Sequence, residues 1–344
     1  MSSTRLAENI IALIEELYLV ERSETEWIKG ILNKAREFLD RGAGVGGVLY
    51  KLAPREHLIV QRFTGANLAD YWLQVGEVMH TAPQFVTDQE RIYRTLQCAT
   101  LQECIRGALA GDVAAELYRN GGVAGVTLIN GLSPTGEGCA LYILSPRNDP
   151  LSNWKRQLLC RLSSHIATAN RLRCRLDASG RRIDETTADA VLSASGKVEH
   201  ARAAARSGES RQDIQRAFNA REWARGRART DPERASLAWQ GLVRAKWSLI
   251  DHFENDGKRY VLAQENSIAV VGLTLFSARE RECLALALQG RPNKSIAYEL
   301  GVANATVRVL MSRAARKVGA RSRRELLQTC RSFLDRQAHS SSAR

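Results

Sequence analysis

The side chains that could do chemistry in this chain gather beyond residue 270. Residues 273–344 carry 14 Lys and Arg against 5 Asp and Glu, a net of +9. Arg308, Ser312, Arg313, Arg316 and Lys317 sit between Val307, Leu310, Ala314 and Val318, apolar positions that recur at helical spacing. A guanidinium offers paired donors and an ammonium a point charge, so such a helix suits a polyanion. Catalytic constellations are missing from the sequence: there is no GxSxG, no P-loop and no HExxH, and His57, His80 and His165 have no acidic or Cys neighbour at ligand spacing. The expectation is a protein that is not an enzyme, with no catalytic residue, no cofactor and no metal.

The elements that must position those cations can be read from local signals. Ser277 and Glu280 have the spacing of a capping box, and the helix they open presents Cys283, Leu284, Ala287 and Leu288 on one face before Gln289-Gly290-Arg291-Pro292 stops it. A short helix from Asn293 to Leu300 buries Ile296, Ala297 and Leu300, and Gly301 ends it. The next helix starts only a few residues later, at Thr306. Two helices joined by so tight a Gly-containing turn cross steeply, which leaves the second protruding far enough to enter a major groove. The alternative is a three-helix bundle whose Arg residues form an ordinary solvated face.

The residues Phe276–Glu282, Gly290, Asn293–Ala297, Leu300–Val302, Thr306–Arg308 and Lys317–Leu326 resemble the C-terminal DNA-binding domain of LuxR-family transcriptional regulators. The resemblance implies a recognition helix from Ala305 to Val318. It places Arg308 and Val309 where base edges are read and Lys294 and Thr306 near phosphates, with Ser312, Arg313 and Arg316 completing the DNA-binding set. Arg can bond bidentately to guanine O6 and N7, Lys can neutralise a phosphate, and Val can meet a thymine methyl. The chain departs from the family pattern in three places. Ala303 stands where a Ser or Thr cap is usual, Leu310 replaces the common His, and Ser312 replaces a frequent basic residue.

The remaining 270 residues read as two further units. Residues 1–150 are mildly acidic, with 14 basic and 18 acidic side chains, whereas 151–272 carry 22 and 14. Leu6, Ile10, Leu13, Leu17 and Val20 form one helical stripe. A capping box at Ser23 and Glu26 opens a second helix through Trp27, Ile31, Ala35, Phe38 and Leu39. Val48–Leu52 and Leu58–Phe63 read as strands joined at Pro54, residues 88–119 as helix, and Val123–Ile129 with Cys139–Leu144 as a hairpin. A long helix follows Asp149-Pro150. Its Leu158, Leu162, His165, Ala169, Leu172 and Leu176 alternate by 4 and 3, which fits either a short coiled-coil seam or packing onto the chain's own sheet.

This order predicts an α+β sensor-like N-terminal module, an antiparallel sheet covered by helices, over residues 1–176, and it resembles a GAF-type domain in pattern. After a polar linker at 177–187, Ala190–Ala201 reads as strand, Ser-Gly turn, strand, and resembles the first hairpin of a PAS domain. An Arg-rich helix at 211–229, another helix after Pro232, and a hairpin joining Trp247–Phe253 to Arg259–Ala263 around Asn255-Asp256-Gly257 complete a small PAS-like middle unit at 184–270. The all-α helix-turn-helix domain occupies 273–336.

Two motifs are set aside. Gly42–Gly47 fits GxGxxG, but a helix precedes it and a strand follows, the reverse of a dinucleotide fingerprint. Cys98 and Cys104 lie six apart, which on one helix turns them away from each other. Tyr71, Trp72, Phe85 and Tyr93 could line a pocket, against the plainer reading as core.

The sequence-based reading is a cytoplasmic transcription regulator that binds double-stranded DNA as a homodimer, with room for a small-molecule effector and no membrane segment. Its dimer contacts are expected at 158–176 and, by family resemblance, at 325–334. A second reading is a small-molecule enzyme or redox sensor acting through the GAF-like module.

Overall fold

The computed structural model describes residues 3–52, 58–133, 136–179, 185–226, 247–253, 259–265, 276–318, 320 and 322–331. Helix α1 (Ser3–Leu17) and helix α2 (Glu24–Leu39) lie together. The predicted capping box is present: Glu26 N–H donates to Ser23 Oγ at 3.4 Å, and Ser23 N–H donates to Glu26 Oε2 at 3.2 Å. Trp27 Nε1 donates to Leu17 O at 2.8 Å, tying the start of α2 to the end of α1.

Strands β1 (Val45–Lys51) and β2 (Ile59–Ala66) form the first hairpin, reaching further toward Gly44 and Ala66 than the sequence suggests. The turn expected at Pro54 lies outside the described residues. The glycine-rich segment is the helix-to-strand turn expected of it: Gly42 and Gly44 N–H donate to Asp40 Oδ1 at 2.8 and 3.0 Å.

Residues 88–119 are not one helical run. Helix α3 (Asp70–Thr81), which the sequence reading missed, is followed by α4 (Pro83–Thr95), β3 (Cys98–Thr100), α5 (Leu101–Ile105) and α6 (Gly111–Asn120). The break has local causes. Thr100 and Glu103 form a capping box that starts α5, and Gly107 turns at φ 67°. The Asp88 carboxylate then accepts the Leu109 and Ala110 N–H groups, each at 2.8 Å, and anchors that turn to α4.

Strands β4 (Gly125–Leu132) and β5 (Glu137–Ser145) complete a five-stranded antiparallel sheet in the order β2-β1-β5-β4-β3. Successive side chains of a strand point to opposite faces. Cys139, Leu141 and Ile143 therefore pack with α1, α2 and the long helix α7 (Asn153–Ser179), while Ala140, Tyr142 and Leu144 pack with α3–α6. Burial on both faces explains the largely apolar runs of β1, β4 and β5, whereas the edge strand β2 is mostly part-exposed and carries Gln61, Arg62 and Thr64.

The α7 seam is used within the chain. Leu158, Leu162, Ala169 and Leu172 are buried in the core shared with α1, α2 and the sheet, and Leu176 is partly buried against it. The coiled-coil dimer contact expected at 158–176 is corrected accordingly: the 4-3 repeat meets this chain's own sheet.

Strands β6 (Ala190–Ser193) and β7 (Val198–Ala201), a 3-10 turn, helix α8 (Gly208–Arg225), and strands β8 (Trp247–Phe253) and β9 (Arg259–Glu265) form a second antiparallel sheet in the order β7-β6-β9-β8. The helix expected after Pro232 and the turn at Asn255-Asp256-Gly257 lie outside the described residues. Much of the arginine content here is structural. Arg221 is fully buried and pairs with Asp251 at 3.1 Å, Arg259 bridges Glu222 and Asp251, and Arg225 reaches Glu15 of α1 at 3.0 Å. The apolar residues of this unit are continuous with the core beneath α1, α2 and α7.

At the C-terminal end come α9 (Ala278–Leu288), α10 (Asn293–Leu300), α11 (Asn304–Val318) and α12 (323–331). No helix among the described residues is long and apolar enough to cross a membrane.

Candidate nucleic-acid interface

The capping box expected at α9 is formed, with Glu280 N–H donating to Ser277 Oγ at 3.3 Å and Ser277 N–H donating to Glu280 Oε2 at 2.8 Å. Gly301 ends α10 in the left-handed region, φ 64° and ψ 36°, and Val302 N–H donates to Ala297 O at 3.0 Å. Cys283, Leu284, Ala287, Ile296, Ala297, Leu300, Val307, Met311 and Ala314 then close a separate core with Leu326 and Cys330 of α12. Met311 takes the inner place that the apolar repeat assigned to Leu310, which is only half-buried.

Helix α11 begins one residue earlier than its resemblance implies. The Ala303 carbonyl accepts Thr306 N–H at 2.9 Å and Val307 N–H at 3.2 Å, so Ala303 occupies the capping position with no side-chain acceptor to offer. Ala303→Ser is expected to stabilise the domain by about 1 kcal/mol, read as a rise in the urea midpoint of the full chain.

The outward face of α11 carries Arg308, Val309, Ser312 and Arg313, all exposed, with Thr306 exposed in the first turn and Lys294 exposed near the start of α10. Positions 308 and 312, and 309 and 313, are four apart and so stack along one face, opposite Val307, Met311 and Ala314. Val309 is 47% exposed, an apolar side chain left open amid cations. The Arg316 side chain lies outside the described residues.

Several other cations of the region are occupied. Arg323 donates to the Asn293 side chain and, at 2.7 Å, to Arg291 O; Arg281 donates to Phe276 O at 2.7 Å, and Arg331 to Leu288 O at 3.1 Å. These brace the domain, while Lys294, Arg308 and Arg313 remain directed outward.

The far side of α10 is clamped to the sensor-like module. Tyr298 Oη lies 3.0 Å from His165 Nε2 on α7, and His165 Nδ1 lies 3.3 Å from Tyr18 Oη. Ser164 Oγ donates to Glu299 at 3.3 Å, Arg291 pairs with Glu299 at 2.9 Å, and Arg291 also donates to Leu132 O of β4 at 2.6 Å. Burial pushes the His165 pKa down to about 3, so the imidazole is neutral. The sequence reading put His165 on the α7 stripe and left open what it meets, and it missed the parts of Arg291, Tyr298 and Glu299.

Of the candidate pocket residues, Trp72, Phe85 and Tyr93 are buried, and Tyr71 Oη donates to Leu117 O at 2.7 Å. Two cavities of about 30 Å³ lie among α3–α6 and the sheet, one beside Trp72 and one beside Phe85. Each has room for about two waters. A larger cavity of about 180 Å³ lies where Cys98, Asn130 and Cys160 face Gly290, Arg291 and Pro292.

Comparison with known families decides the nature of the C-terminal helices: the family model described as bacterial regulatory proteins, luxR family, matches residues 274–330. Residues 274–330 form a LuxR-family helix-turn-helix domain. Among solved structures, Escherichia coli SdiA is similar at 12% identity and a TM-score of 0.29, over 91% of this chain and 92% of that one. SdiA in complex with octanoyl-rac-glycerol is similar at 13% and 0.29, over 90% and 89%. At that TM-score neither fixes any element here. No curated protein matches the chain.

Proposed function

We propose that this chain is a transcription regulator whose α11 reads the major groove while α10 stays clamped to the sensor-like module. One observation carries the reading: in a LuxR-family domain, the outward face of α11 presents Arg308, Val309, Ser312 and Arg313 to solvent while α10 is docked on α7. Arg308 and Val309 read base edges, Lys294 and Thr306 hold phosphates, and Ser312, Arg313 and Arg316 complete the contact face. The protein works as a homodimer, since two domains on a two-fold operator double the DNA contact. The β2-β1-β5-β4-β3 sheet with helices on both faces supports the GAF-like reading of the first module, and the smaller sheet with α8 supports the PAS-like reading of the second. An effector bound in the first module would act by favouring one arrangement of the two recognition helices.

Gel-shift titration separates the roles. Arg308→Ala is expected to cost about 1–3 kcal/mol on the specific duplex and to flatten sequence preference. Lys294→Ala is expected to weaken all duplexes alike and to reduce the salt slope by about one. Equal losses for both variants on specific and random DNA would refute the division.

A further inference from the structure

Two of the seven cysteines line one cavity. Cys98 lies on β3 with its side chain on the α7 face of the sheet, and Cys160 lies on α7. Their thiols are near enough for a hydrogen bond from Cys98 to act on the acidity of Cys160. Arg156, one turn before Cys160, holds the two elements together: its guanidinium donates to Cys98 O at 2.8 Å and pairs with Glu103 at 2.9 Å. Cys104, weighed earlier as a partner for Cys98, packs on the opposite face of the sheet.

Both thiols line the 180 Å³ cavity, whose far wall is the Gly290-Arg291-Pro292 turn of the DNA-binding domain. Cys98 is 6% exposed, whereas Cys160 is half-buried. We propose that Cys98 and Cys160 form an oxidative modification site, at which a small hydroperoxide entering this cavity converts the dithiol to a disulfide.

The surroundings assign the two sulfurs different parts. The hydrogen bond from Cys98 holds the Cys160 thiol below its ordinary range against the effect of burial, and the Arg156 and Arg291 guanidiniums add to this. The same hydrogen bond and burial raise Cys98. The Cys160 thiolate attacks one oxygen of hydrogen peroxide; an S–O bond forms, the O–O bond breaks, and the departing hydroxide takes a proton to become water. The Cys98 sulfur then bonds to the Cys160 sulfur, its proton leaves with the sulfenic hydroxyl as a second water, and the dithiol has given two electrons to the peroxide. The product draws the two sulfurs together to about 2.05 Å in the wall of the cavity opposite Arg291. The oxidised pair would share this cavity with Arg291, the residue that clamps the DNA-binding domain.

The experiment treats the full-length reduced protein with a small excess of hydrogen peroxide and maps its peptides by mass spectrometry without reduction. The expected result is the loss of two hydrogens, reversed by dithiothreitol, in one cross-linked species joining the Cys98 and Cys160 peptides. Cys160→Ser is expected to form no cross-link, and Cys98→Ser to stop at a sulfenic acid on Cys160 that dimedone traps. Seven free thiols after treatment, a cross-link between another pair, or a loss of two hydrogens that persists in folded Cys160→Ser would each overturn the proposal.

Discussion

Arg291→Met is expected to destabilise the docked molecule by about 3–5 kcal/mol, because it leaves one half of a buried ion pair behind. Arg291 and Glu299 are only 2% and 3% exposed, and Arg291 also satisfies the Leu132 carbonyl. Removing the guanidinium strands a carboxylate at the interface between α10 and the sensor-like module. The helix-turn-helix domain itself loses little, since the bond from Arg323 goes to the Arg291 backbone oxygen and its core contains neither charged residue. Urea denaturation of the full chain would show an early transition for the freed domain. The double variant Arg291→Met, Glu299→Leu should recover most of the loss, as replacement of both partners by apolar groups usually does. A midpoint change worth less than about 1 kcal/mol for the single variant, the level of an exposed pair, would contradict the buried clamp.

The second large effect is a pH dependence centred on His165. In the folded chain its pKa is about 3 against an ordinary 6.5, because the ring is buried between Tyr18 and Tyr298. The neutral form folds and the unfolded chain takes up the proton. The stabilisation is therefore whole above pH 6.5 and declines as pH falls from 6.5 toward 3, by up to about 1.4 kcal/mol per unit. Between pH 7 and pH 5 this residue should remove about 2 kcal/mol. His80, half-buried and also lowered, declines in the same range, so the measurement is the difference between wild type and His165→Gln. The Asp251 and Glu222 carboxylates, both lowered by neighbouring Arg residues against burial, titrate below this window. Parallel stability curves for the two proteins between pH 7 and pH 5 would rule out a buried neutral His165.

What was legible in the sequence were features whose cause is local. The Ser23–Glu26 and Ser277–Glu280 boxes, the Gly301 stop and the Ser-Gly turn of β6–β7 each need only a few neighbouring residues, and each is where it was expected. The same signal at Thr100–Glu103 was passed over because apolar residues on either side continue a helical repeat through the three-residue strand β3. Helix α3 was hidden by its packing: Gly76 sits on the buried face, where a Cβ would lie 2.1 Å from the Phe63 ring, so the apolar stripe is interrupted at a point of close contact. The α7 repeat was visible, but a 4-3 stripe does not say which surface it meets.

The clamp was not legible at all. Residues 296–300 are all buried, and five consecutive helical positions go round the whole circumference, so α10 must be covered on both sides. The sequence marks only one of those sides with aliphatic residues; the other is Tyr298 and Glu299, whose partners on α7 are more than 130 positions away in the chain. The exposed cations of α11 were easier to anticipate because they need no distant partner.

The most direct test of groove reading by α11 is selection of binding sites from a random duplex pool by the full-length protein, repeated with Arg308→Ala. One enriched sequence with two-fold symmetry is expected, with the guanine preference at the Arg308 position lost in the variant. A pool that shows no enrichment, or an enriched sequence identical for the two proteins, would contradict it.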